Sequence, residues 1–178
     1  AEVHAAHPLA QGAGFLKERP ARFVPLVEAR DTEGQWMGAV ACLLLHGRGD
    51  HARAAWASFC LPDAAFYERP DTLDLVGWLA ERMVDGCFLF EGGAEFNTYL
   101  PGQEVLQGAQ VVRLGHGGAQ GLRVAMSLGP KGAPAAQASR AESAPDAGGL
   151  TQRRLPPLES ASGDRLSVVE LWRDGALL

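Results

Sequence analysis

The sequence predicts an α+β protein: a mostly antiparallel sheet of about five to seven strands with one main helix, about 71–84, packed on it. Three observations carry this expectation. Short strand-like runs follow one another with turn residues between them, at meander spacing rather than in the strand–helix alternation of a parallel sheet. One stretch, "DTLDLVGWLAERMVDG", repeats its apolar residues with the 3.6-residue period of an amphipathic helix. A chain of 178 residues, 47% of them hydrophobic, is long enough for one substantial core and short for two ordinary domains.

Composition narrows the class. Charged residues make up 21% and sum to a net charge of −5. They are scattered along the chain, so the basic stripe that phosphate recognition requires is missing and no nucleic-acid partner is expected. No apolar run approaches the ~18 residues of a membrane span, so a soluble protein with no membrane span is expected. Cys42, Cys60 and Cys87 are odd in number and have apolar neighbours, which reads as buried free thiols in a reducing, cytoplasmic setting. The chain opens on Ala1 rather than methionine, so an upstream segment is expected to have been removed. Isoleucine is absent and arginine far outnumbers lysine, a bias that points to a GC-rich genome such as that of many bacteria and some large DNA viruses.

Taken in order, residues 1–20 lack periodicity and read as a loosely ordered N-terminal arm. A globular α+β core is expected over 21–128. Its first strand is "RFVPLVEAR", where Pro25 cannot donate to a ladder and so argues for a sheet edge. Two long strands, 35–46 and 51–61, then flank the turn residues "GRGD". Both faces of this hairpin are largely apolar, which places it inside a sheet or under a helix. A turn centred between Arg48 and Gly49 sets Cys42 opposite Ala55 and Cys60 opposite Met37. The two thiols then lie on opposite faces.

The helix follows, with Asp71 as its N-cap and Leu75, Val76, Leu79, Met83 and Val84 as its apolar stripe. Four further runs read as strands: "CFLFE", "EFNTYL", "AQVVRLG" and "GLRVAMSLG". Between 129 and 149 there is no Val, Leu or aromatic residue, and 129–163 reads as a flexible Ala/Gly/Pro/Ser-rich linker or loop. The last segment, 164–178, is expected to be a strand that docks on the core or on a partner, with a turn at Asp174-Gly175.

Candidate sites are few. Arg48-Gly49-Asp50 spells an adhesion tripeptide, yet Gly-Asp is also what a hairpin turn selects, so a structural turn is the expected reading. His46 and His51 flank that turn and, with Asp50, offer three metal-ligand types. Two strands of a hairpin rarely complete a closed site, and no metal is expected. "GHGG" over 115–118 is similar to an esterase oxyanion loop, but no Gly-x-Ser-x-Gly elbow accompanies it. Cys87 with His116 is the one nucleophile–base pair on offer, and Cys87 lacks the helix N-terminus that lowers a thiol pKa. Glu91 and Glu95 are a carboxylate pair whose separation the sequence does not fix.

Trp36, Trp56, Trp78 and Trp172 fall on regular elements and read as core or sheet-face residues; any left exposed marks an interface. With no catalytic, cofactor or metal constellation expected, the favoured reading is a non-enzymatic assembly, adaptor or scaffold component. Its partner is another protein or a second copy of itself, and Arg48, Gly49, Asp50 and Trp172 are its candidate contact residues. The rival readings are a small hydrolase or transferase built on Cys87/His116 or Glu91/Glu95, and an adhesion ligand built on Arg48-Gly49-Asp50.

Overall fold

The computed structural model describes residues 14–100, 102–114, 118–131, 138–156 and 164–178. Among these, ten strands form three mostly antiparallel sheets with one main helix, so the α+β class holds while the strand count exceeds the five to seven expected. The excess arises where composition hides pairing. Within the expected linker, β7 (Ser139–Ser143) and β8 (Leu150–Leu155) are strands. β7 alternates half-buried Ser139, Ala141 and Ser143 with exposed Arg140 and Glu142, which is strand periodicity without any large apolar residue. Conversely, "EFNTYL" is not a strand.

The chain divides into two compact units. One comprises 20–90 and 112–118, the other 1–19, 91–111 and 119–178, and β4 (Cys87–Ala94) and β5 (Val105–Arg113) contribute to both.

In the unit of 20–90 and 112–118, β1 (Ala21–Arg30), β2 (Trp36–His46) and β3 (Ala55–Phe59) form a sheet in the order β1-β2-β3. Pro25 has no N–H to give a ladder, and β1 is an edge whose register slips immediately after that residue. The β2–β3 connection is longer than a two-residue turn. Gly49 at φ 80° and Arg53 at φ 69° bend it, and the amides of Ala52 and Ala54 donate to the carbonyls of Gly49 and His51. The ladder therefore starts later. Leu45 faces Ala55, Cys42 faces Ser58 rather than Ala55, and the Cys60 amide donates to Val40, not Met37. A displacement of three residues is odd, so it reverses side-chain parity, and Cys42 and Cys60 lie on the same face.

The inward face of this sheet carries Leu43 and Leu45, which cluster with Leu79, Phe88 and Phe90, with Val24, Leu26, Ala55 and Phe59 packed around them. Leu79 comes from α2 (Pro70–Asp85), which follows the one-turn α1 (Ala64–Tyr67). The N-cap of α2 is Arg69 rather than Asp71, because Pro70 takes the first helical position that its fixed φ suits. Asp71 instead sits in the first turn and binds Arg69 through two hydrogen bonds of 3.0 and 2.6 Å. Thr72 and Leu79 are buried and Leu75 and Arg82 half-buried, whereas Val76, Met83 and Val84 of the expected stripe are exposed, Val84 at 89%. Gly86 ends the helix at φ 70°, its amide donating to Arg82. A side chain there would lie 2.9 Å from the Leu114 carbonyl oxygen.

In the other unit, β6 (Leu122–Pro130) is central. It pairs with β7 on one side and with β9 (Arg165–Arg173) on the other, and β9 carries β10 (Ala176–Leu177). Asp174 and Gly175, both at positive φ, make the two-residue turn between β9 and β10 that Asp-Gly favours. The third sheet has the order β4-β5-β8. Val105 and Leu155 from it meet Leu128 and Ala141 from the β6 sheet. Fully buried Gln107 ties β5 to β6 and β9, its amide donating to the Ser127 carbonyl at 2.9 Å and to the Ser167 hydroxyl. Phe15, in a single 3-10 turn at Gly14–Leu16, lies over Gly108, where any side chain would meet its ring at 2.5 Å.

Candidate interaction surface

The reversed parity of the β2–β3 ladder determines what the outward face of the β1-β2-β3 sheet presents. Phe23, Leu44 and Trp56 align in one row across the three strands. Pro25, Cys42 and Ser58 form the next row. Phe23 is 49% exposed and Trp56 63%. Large aromatics on a strand normally close over a core, because burying one contributes roughly 1.5–3 kcal/mol. Here that contribution is forgone at two residues that are cross-strand neighbours of a shared leucine. Trp36 and Met37, at the start of β2, are also exposed. On α2 the face turned to solvent includes Leu73, Val76 and Trp78. Three of the four tryptophans read as core or sheet-face residues, Trp36, Trp56 and Trp78, are thus exposed. Exposed Phe23 and Trp56 adjoin half-buried Leu44, the kind of apolar surface that marks a contact site.

Cys42 and Cys60 belong to this same outward face. The Cys60 sulfur lies 3.4 Å from the Ser58 hydroxyl. Burial pushes the Cys42 thiol up from its ordinary range, and Cys60 adds to the shift, so Cys42 stays protonated at neutral pH. None of the three cysteines is in a disulfide; Cys60 is exposed, Cys42 half-buried and Cys87 buried. The expectation of three buried thiols therefore fails at Cys60. Labelling the native protein with an aromatic disulfide reagent is expected to proceed in the order Cys60, Cys42, Cys87, with Cys87 modified only on unfolding. Equal rates at Cys60 and Cys87 would contradict the placement.

The other candidate residues are dispersed. Arg48, Gly49 and Asp50 are exposed on the β2–β3 connection. Trp172 is half-buried on β9, its indole donating to Glu170 at 3.4 Å. It borders a shallow hollow of about 170 Å³ with Arg123, Ala125, Arg140, Glu142 and Gly175. Glu91 is buried and ion-paired to Arg19 at 2.8 Å. Glu95 is only partly buried, its amide bound to Leu106. His116, with 115–117 of the glycine-rich segment, lies outside the described residues, as do 1–13 of the N-terminal arm and 132–137 and 157–163 of the expected linker. Among the described residues, no three His, Cys, Asp or Glu side chains converge as a closed metal site requires. No helix among them is long and apolar enough to cross a membrane.

The sequence carries no separate signal for Phe23, and Trp56 reads from it as a core or sheet-face residue that marks an interface if left exposed. The available signal was the two-sided apolarity of the 35–46 and 51–61 runs, which shows that both faces want cover without showing that only one receives it.

The fold and surface define an antiparallel α+β protein with an uncovered aromatic sheet face. No protein-family model, curated protein or solved structure matches the chain.

Proposed function

We propose that this chain is a non-enzymatic assembly or adaptor component that binds another protein, or a second copy of itself, through the outward face of the β1-β2-β3 sheet. The observation that carries the reading is the Phe23–Leu44–Trp56 row, with both aromatics about half exposed or more. Tryptophan is among the residue types that most often dominate interface energetics, and a central aromatic commonly contributes 2 kcal/mol or more to binding. The half-buried Leu44 between the two rings supplies an apolar floor, and exposed Arg48 and Asp50 at one end supply a polar rim.

The test is a pair of surface substitutions, Phe23→Ser with Trp56→Ser. Because both side chains already face solvent, the double variant is expected to keep the wild-type thermal midpoint within a few degrees. Its self-association, read by light scattering over a concentration series, or its recovery of a partner from the source cell, is expected to fall at least 30-fold, the equivalent of about 2 kcal/mol. Unchanged association in both assays would remove the outward face from consideration.

A further inference from the structure

We propose that His46 and His51 form an open, two-imidazole site for a first-row divalent transition-metal ion at the tip of the β2–β3 hairpin. Their ring centres are 5.5 Å apart with planes at 71°. An ion bound to an imidazole nitrogen at about 2.0–2.1 Å lies roughly 3.2 Å from that ring's centre, so two rings bound at 90–110° stand about 4.5–5.2 Å apart. The observed pair is a few tenths of an ångström wider, which a side-chain rotation of exposed His51 takes up.

The backbone fixes both residues before any ion arrives. His46 donates its amide to Ala54 at 2.9 Å and accepts from Arg53 at 2.9 Å. The His51 carbonyl accepts from the Ala54 amide at 3.0 Å. The positive φ of Arg53 is what turns the chain so that position 51 comes back over position 46. Since no third His, Cys, Asp or Glu converges there among the described residues, water completes the coordination. Two imidazole nitrogens suit the borderline ions, with affinity rising toward copper.

The probe is Ni²⁺, titrated by calorimetry into the full chain in a Cys60→Ser background, so that the exposed thiol does not compete. The parent is expected to bind one equivalent that is lost, or weakened at least tenfold, in both His51→Ala and His46→Gln, while His7→Ala retains it. Ni²⁺ at a hundredfold excess over the dissociation constant is further expected to raise the parent's thermal midpoint by roughly 5–10 °C and to leave that of His51→Ala in place. If His51→Ala binds the same number of equivalents with the same affinity as the parent, the site does not exist.

Discussion

Truncation that removes 165–178 is expected to abolish the cooperative unfolding transition of the unit containing β6. β9 pairs with β6 at nine consecutive positions, from Leu122 opposite Arg173 to Pro130 opposite Arg165. Its loss strips one whole side of the ladder from a strand that carries buried Leu122, Val124, Met126 and Leu128. It also removes buried Leu171, whose deletion alone costs about 2–5 kcal/mol, and the Ser167 hydroxyl that serves the buried Gln107 amide. A natural domain is stable by only about 5–15 kcal/mol in total. Circular dichroism melting with limited proteolysis reads the outcome: the truncated chain should lose the transition and be cut within 91–111 and 119–156 under conditions that spare the full chain. A truncated chain with the wild-type midpoint would show that β9 is an appendage rather than part of the core.

The second large effect lies in the other unit. Phe90→Ala should destabilise the protein by about 3–5 kcal/mol, since the ring is buried among Leu43, Leu45, Leu79 and Phe88. The Phe90 ring is also the reason for a glycine at 47: a side-chain carbon there would come within 2.6 Å of it. Gly47→Ala in the wild-type background is therefore expected to cost roughly 1–3 kcal/mol by overpacking. With Phe90→Ala already in place the obstruction is gone, and Gly47→Ala should be close to neutral or stabilising. The two substitutions thus couple by at least 1 kcal/mol in a double-mutant cycle read by chemical denaturation. Simple additivity would mean that Gly47 is required for some reason other than the ring.

Much of this architecture is legible in the sequence because local rules dominate. Pro25 marks an edge, Pro70 and Gly86 bracket the helix, and Asp174-Gly175 closes the last hairpin, each through a backbone constraint carried by a single residue. What escapes is set by longer-range geometry. β7 is held by pairing to β6 rather than by its own side chains, so "SRAES" carries no apolar signal. The β2–β3 register depends on how many residues the connection absorbs, and an error of three there moves Trp56 and Cys60 to the opposite face relative to Leu44 and Cys42. The helix stripe is displaced for a related reason. Sequence identifies the apolar residues of α2, but the element it packs on selects Thr72, Leu75 and Leu79 over Val76, Met83 and Val84. The candidate surface was legible only as an excess of apolar side chains on both faces of one hairpin.

The outward sheet face is tested most directly by site-specific photo-cross-linking from position 56, compared with position 84. Val84 is the more exposed of the two, at 89% against 63% for Trp56, so chance encounter favours it. A photoreactive residue at 56 is expected to yield one discrete adduct, with a second copy of the chain or with a single partner from the source cell, and position 84 to yield none. Equal, diffuse labelling from both positions, or adducts from 84 alone, would contradict the assignment of the outward sheet face as the surface through which this protein works.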